Sequence, residues 1–145
     1  MEFLRDVTME TLDAAQKELG SRIHRRARHV ITEIARVSQF AAALEAGDTV
    51  LAGVLMAASH RSLRDDYEVT CQELDSLVEL ACDLGAIGAR MMGGGFGGST
   101  VNIVDSESAS VFSEEIVARY REQHGGEVEA IAVSLVDGAC LSKPE

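Results

Sequence analysis

The chain has 145 residues and a formal net charge of −11, with 13 Lys and Arg side chains against 24 Asp and Glu. This length predicts one domain spanning residues 1–145, and the hydrophobic content of 46% is enough to bury a core, which excludes a disordered tail. The acidic balance disfavours nucleic-acid backbones, and the longest apolar run, residues 50–58, is too short for a membrane helix, so we expect neither partner.

The first half of the chain has apolar residues at helical spacing, punctuated by glycines. A stripe beginning at Leu12 stops at Gly20, and Ser21 can cap a longer helix that ends at Gly47. Asp48 is the predicted cap of a third helix. The apolar stripe of the longer helix is Ile23, Ala27, Val30, Ile31, Ile34, Ala41 and Leu44. The residues expected to face inward on the third helix are Leu51, Val54, Leu55 and Ala58.

A fourth helix is predicted after residue 70. Thr70 followed by Glu73 has the spacing of a capping box, and Gly85 is the expected terminator. The apolar residues behind this cap are Leu74, Leu77, Val78 and Ala81.

The second half of the chain changes to the alternating period of strands. Residues 87–92 and 99–104 are predicted to be antiparallel neighbours, because the short connection leaves no room for a crossover. Ser106 can cap a helix that closes at Gly125, and a last strand, 131–135, leads to a turn at 137–138. A fourth strand could come from residues 1–7, from residues 139–143, or from sequence outside this chain.

The order of helices followed by strand, strand, helix and strand predicts the α+β class. The helices are expected to stack on one face of a small, mainly antiparallel sheet.

The dense glycine run Gly93-Gly94-Gly95-Phe96-Gly97-Gly98 has two interpretations. It can be a wide hairpin loop, although two glycines usually suffice for a turn. It can also be a nest of backbone N–H groups facing an anion, in which case a side chain at Gly95 would intrude on ligand space. No Lys and no helix follow the glycines, so the run is not the common phosphate-binding loop.

The segment between the third and fourth helices is rich in charge. Its candidate cleft or interface residues are Arg64, Asp65, Asp66 and Tyr67. The alternative is a salt-bridged surface turn. Asp65 and Asp66 are adjacent and point apart, so they are not expected to share a metal ion. The arginines predicted to form a solvated helix face are Arg22, Arg25, Arg26 and Arg28.

The histidines and cysteines give no indication of a catalytic group. His24 and His29 lie in the basic helix with no nucleophile placed beside them. The three cysteines, Cys71, Cys82 and Cys140, lack CxxC spacing, which indicates reduced, mostly buried thiols and no zinc site.

Two motifs together resemble the galactokinases of the GHMP kinase superfamily. The first is His60-Arg61-Ser62-Leu63-Arg64-Asp65-Asp66-Tyr67-Glu68-Val69 with Glu73-Leu74-Asp75 behind it, and the second is Arg90-Met91-Met92-Gly93-Gly94-Gly95-Phe96-Gly97-Gly98-Ser99. The resemblance is to the C-terminal half of these enzymes and covers nearly the whole chain.

This resemblance implies a ferredoxin-like two-layer sandwich and ATP-dependent phosphorylation of galactose to galactose 1-phosphate with Mg²⁺. It assigns phosphate and substrate contacts to Gly93, Gly94, Gly95, Phe96, Gly97, Gly98 and Ser99. The sugar and ATP are the implied partners, in a cytoplasmic enzyme. The family usually has Thr at the position of Met92 and often Cys at that of Ser99, which places one side-chain contact in doubt.

The sugar-binding segment, the proline-containing nucleotide loop and the catalytic Asp and Arg of these kinases have no counterpart in this chain. We therefore expect the chain to be a C-terminal domain that is inactive alone, binds no cofactor tightly and can self-associate through its exposed cleft face. The alternatives are a non-catalytic sugar- or phosphate-sensing domain of the same fold and a protein-contact module.

Overall fold

A computed structural model of the chain describes residues 3–133. The elements, after a 3₁₀ turn at Leu4–Asp6, are α1 (Met9–Ala14), α2 (Gln16–Glu45), α3 (Thr49–Ser62), a π-helical turn (Leu63–Tyr67), α4 (Gln72–Asp83), β1 (Gly88–Met92), β2 (Ser99–Ile103) and α5 (Ala109–His124). Helices precede a small antiparallel sheet, which confirms the predicted α+β class.

Local signals place several helix boundaries where the sequence predicts them. Gly20 interrupts α2 with a φ of 73°, so two helical stretches meet there. Gly47 has a φ of 70°, and the Asp48 carboxylate then accepts the backbone N–H of Leu51 at 2.9 Å. These bonds and backbone angles confirm the predicted stop at Gly47 and the cap at Asp48.

Two predicted caps are wrong. Helix α4 begins one residue later than expected, with Cys71 at the cap position, because the Thr70 hydroxyl donates to the carboxylate of Asp75 at 3.3 Å. Helix α5 is preceded by Ser108 and not Ser106, and neither this residue nor Cys71 makes a side-chain capping bond.

The sheet contains two strands within the described residues. Strands β1 and β2 pair antiparallel from Gly88 opposite Ile103 to Met92 opposite Ser99, which confirms the predicted hairpin. Residues 131–133 are not in a strand, and Ile131 and Val133 are exposed, so this part of the predicted last strand finds no partner. Residues 4–6 form the 3₁₀ turn and not a strand. The rest of the predicted last strand, its turn, and residues 139–143 lie outside the described residues.

Among residues 3–133, buried hydrophobic side chains form three core clusters. The first joins α4, β1 and α5 through Val78, Leu80, Ala81, Ala89, Ile116 and Tyr120. The second joins α2 and α3 through Ala43, Ala52 and Leu55, and the third joins the π-helical turn, α4 and β1 through Leu63, Leu74 and Met91. The third cluster lies at the end of β1 that leads into the glycine run.

Helix α3 crosses β1 at very short range. A Cβ on Gly53 would lie 1.9 Å from the carbonyl oxygen of Ile87, and one on Gly88 would lie 2.8 Å from the Cα of Gly53. Two facing glycines therefore let the helix rest directly on the strand, which fixes the height of α3 over the sheet.

Some residues expected to be inside are exposed. Leu51 and Val54 on α3 face solvent, as do Ile34 and Leu44 on α2, because these helices meet through the small residues of the second cluster. Of the cysteines, Cys71 is half-buried and Cys82 is exposed, which corrects the expectation of mostly buried thiols. Cys140 lies outside the described residues.

Candidate functional site

The glycine run adopts a backbone that few other residues accept. Four of its five glycines have positive φ, at 84° for Gly93 and Gly95, 132° for Gly97 and 99° for Gly98. Phe96 also has positive φ, at 60°, although its side chain is 77% exposed. The glycine density thus has a direct cause, since left-handed and related conformations disfavour side chains.

The loop of residues 93–98, called the glycine loop below, rests on the segment that follows the π-helical turn. The backbone N–H of Phe96 donates to the carbonyl of Val69 at 2.8 Å. A Cβ on Gly95 would lie 2.0 Å from that same carbonyl oxygen. The space beside Gly95 is therefore filled by the protein itself, and the expectation that a side chain there would meet ligand is wrong.

The other loop glycines face open space. A Cβ added to Gly93, Gly94, Gly97 or Gly98 would meet no atom within 4 Å. Within residues 3–133, the backbone N–H groups of Gly94 and Gly97 also have no acceptor. The Phe96 N–H already donates to Val69, so it is not available to bind an anion. What is left is a glycine-lined surface with free donors, which can bind an anion.

The predicted cleft residues divide into two pairs. Asp66 and Tyr67 turn toward α2, where Asp66 is buried and Tyr67 stacks on His29 with ring centroids 4.5 Å apart. Arg64 and Asp65 form an ion pair with each other at 2.8 Å and remain accessible to solvent. The turn is therefore partly a salt-bridged surface and partly a junction inside the domain.

Most of the arginines predicted to form a solvated face are paired with the turn. Arg28 binds the Asp66 carboxylate, and Arg26 donates to both the Asp66 carbonyl and the Glu68 carboxylate. Arg25 binds the other oxygen of Glu68 at 2.7 Å. The basic face of α2 thus holds the turn, and among the described residues Arg22 is the one of the four without an ion pair.

These contacts shift the pKa values of the side chains involved in the directions expected from charge and burial. Hydrogen bonds from Arg26 and Arg25 lower the pKa of Glu68, and the bond to Asp66 raises the pKa of Arg28. Burial lowers the pKa of His29 and of His60, which keeps both rings neutral near pH 7.

The two buried histidines predict a loss of stability in mild acid. Their folded pKa values lie below the ordinary 6.5, so the unfolded chain binds protons that the folded chain does not. The free energy of unfolding should therefore be highest above pH 6.5 and fall below it, by up to about 1.4 kcal/mol per pH unit for each ring. Urea unfolding at pH 7.5, 6.5 and 5.5 measures this, and His29→Asn should flatten the slope. A free energy independent of pH over this range would contradict the prediction.

Arg28→Ala should destabilise the chain by about 1–2 kcal/mol. The substitution leaves the buried Asp66 carboxylate with a weak bond from Ser62, at 3.3 Å, while the 42% exposure of the Arg28 side chain limits the loss. Urea unfolding at pH 7 measures the effect. Arg22→Ala is the matched control, expected within about 0.5 kcal/mol of the parent chain, and equal losses would show that the pair with Asp66 stabilises nothing.

The described residues do not suit a resident metal ion. Within residues 3–133 no three His, Cys, Asp or Glu side chains lie together in a way that could hold one.

None of the helices described for residues 3–133 has both the length and the apolar character needed to cross a membrane.

Sequence reasoning identified the glycine loop and the charged turn but missed the residues that join them. Val69 and His60 belong to the quoted motif, yet neither was singled out. Their position beside the charged turn was the one sequence signal that could have identified them. The residues that they contact, Gly95 for Val69 and Met91 for His60, lie far along the chain.

Comparisons with known proteins agree with this geometry. The family description "GHMP kinases C terminal" matches residues 40–122. The chain is 48% identical over 139 residues to human galactokinase and 46% identical over 123 residues to galactokinase of Roseiflexus. It also superposes on the crystal structure of Lactococcus lactis galactokinase complexed with galactose with a TM-score of 0.79 and 38% identity, covering 87% of this chain and 33% of that one.

These matches cover unequal shares of the proteins compared. The human match includes 95% of this chain and 34% of the human protein, and the Roseiflexus match includes 84% and 32%. The chain thus spans about a third of the length of the relatives it matches.

Proposed function

The chain belongs to the GHMP kinases, and from that membership we propose that it is the loop-bearing C-terminal part of a galactokinase, which transfers a phosphoryl group from ATP to galactose. The observation that carries the proposal is the glycine loop. Within residues 3–133 the N–H groups of Gly94 and Gly97 have no acceptor, and a Cβ on either residue would face open space. The proposed contacts for phosphate and substrate within residues 93–99 are Gly93, Gly94, Gly97, Gly98 and Ser99, whereas Gly95 and the Phe96 N–H hold the loop on Val69.

The chemistry of phosphoryl transfer suits such a loop. The reaction depends on positioning and on neutralising charge around the transferred group, which ATP supplies. Backbone donors held in place before the reaction stabilise phosphate oxygens without a cost of reorganisation. The loop is held in this way, because Val69 accepts from Phe96 and closely contacts Gly95.

The remaining parts of the reaction are assigned to sequence outside this chain. Within residues 3–133, no three His, Cys, Asp or Glu side chains lie together in a way that could hold Mg²⁺. In the charged turn, the Arg64–Asp65 pair and the 39% exposed Tyr67 are open to ligand or to the rest of such an enzyme. Self-association and a cytoplasmic location stay predictions.

The purified chain should form no galactose 1-phosphate from ATP and galactose. A chimera in which this chain replaces the matching segment of human galactokinase should be active, because the two are 48% identical there. Galactose-dependent release of ADP measures both activities. Turnover by the chain alone, free of contaminating kinase, would contradict the first expectation. A folded chimera that binds galactose but releases no ADP would contradict the second.

A further inference from the structure

A buried histidine lies between α3, α4 and β1. His60 is on α3 and is 4% exposed. Its Nδ1 accepts the backbone N–H of Met91 at 3.2 Å, and its Nε2 lies 3.2 Å from Oδ1 of Asp75 on α4. One imidazole ring thus connects three elements of the fold.

The strand requires an acceptor at this position. In an antiparallel pair, alternate residues turn their N–H groups away from the partner strand, and that of Met91 points to the outer edge of β1. Met91 is fully buried, so water cannot satisfy this donor. A buried N–H without a partner is costly, and His60 removes that cost.

The same contacts continue to the glycine loop. Asp75 accepts from Thr70 through its second oxygen, Oδ2, at 3.3 Å. The residue before Thr70 is Val69, whose carbonyl binds the Phe96 N–H in the middle of the loop. The strand that enters the loop and the segment beneath it are therefore both joined to the His60–Asp75 pair.

We propose that His60 and Asp75 are positioning residues for the glycine loop. The Asp75 carboxylate lies 3.2 Å from Nε2 outside hydrogen-bond geometry and favours the proton of His60 on that nitrogen by its charge, and the unprotonated Nδ1 then holds Met91 and the end of β1. The loop in turn keeps its N–H groups at a fixed place for phosphate, a step that rests on the proposed function.

The charges around the ring fit this arrangement. Burial lowers the pKa of His60, the Asp75 carboxylate opposes that shift, and the positive charges of Arg64 and Arg90 add to it. The neutral ring can then donate from one nitrogen and accept at the other.

Two substitutions separate the roles of the two nitrogens. In His60→Asn, the amide oxygen occupies the place of Nδ1 and can still accept from Met91. In His60→Gln, the amide reaches toward Asp75 and the acceptor near Met91 is lost. Amide hydrogen exchange by NMR should show Met91 protected in the parent chain and in His60→Asn, and exchanging about tenfold faster or more in His60→Gln. Equal protection in both variants overturns the proposal.

The ring itself gives a second readout. Nitrogen NMR of the parent chain should show His60 as a single tautomer with hydrogen on Nε2, and Asp75→Asn should allow the other tautomer. A mixture of tautomers in the parent chain overturns the proposal, and this holds even if His60→Gln fails to fold.

Kinetics of the active chimera separate positioning from the proposed function. His60→Gln should lower kcat about tenfold at unchanged KM for galactose, and His60→Asn should recover most of it. Normal kcat with loss of Met91 protection would show that the loop does not act in the reaction, which overturns the loop's proposed role while the structural connection through His60 stands.

Discussion

Gly95→Ala is expected to destabilise the chain by about 2–5 kcal/mol, whereas Gly94→Ala should leave its stability nearly unchanged. A methyl group on Gly95 would meet the Val69 carbonyl oxygen at 2.0 Å, and the φ of 84° disfavours any side chain there. Gly94 has neither constraint, since its φ is not in the left-handed range and its Cβ direction is open. Thermal and urea unfolding of the two variants measure this difference.

The same two variants distinguish a loop that binds phosphate from a loop that only connects β1 and β2. In the active chimera, the methyl group of Gly94→Ala would enter the open space beside the loop that we propose for phosphate, and a misplacement of about 1 Å at a reacting group can cost roughly 100-fold in rate. We therefore expect kcat to fall by about that factor with an unchanged melting temperature. Normal kcat in folded Gly94→Ala would show that the loop merely links two strands.

Leu74→Ala is expected to cost about 3–5 kcal/mol of unfolding free energy. Leu74 is 1% exposed and packs with Leu63 and Met91 in the cluster that supports the end of β1, so truncation leaves a cavity among rigid neighbours. Urea unfolding at pH 7 measures the loss. Leu51→Ala removes the same atoms from an exposed site on α3 and should cost less than about 1 kcal/mol. Comparable losses in the two variants would mean that the cluster does not act as core.

The boundaries that sequence predicted correctly depend on neighbours along the chain. Gly20, Gly47 and Asp48 act through their own backbone angles or through a residue three positions away, and the structure has them as expected. Thr70 failed as a cap because its hydroxyl has a competing carboxylate on Asp75. The outcome of that competition depends on how α4 sits against the preceding segment, which no local pattern reports.

The candidate site shows the same division. The density of glycines predicted a special loop, and the positive φ values give the reason. That Gly95 serves packing while Gly94 faces open space follows from the contact with Val69, 26 positions earlier in the chain. The pairing of Arg28 with Asp66 spans 38 positions, so a solvated face and a partly buried ion pair look alike in the residues alone.

The π-helical turn at Leu63–Tyr67 continues α3 and sets the directions of its last side chains before Glu68, in the left-handed conformation, ends the helix. A π turn holds one residue more than an α turn, and each residue of an α-helix advances the phase by about 100°. Deleting one residue here would restore α-helical phase but rotate Asp66 and Tyr67 away from Arg28 and His29. Sequences that keep this junction can vary its side chains more readily than its length, so insertions and deletions should be rarer here than substitutions.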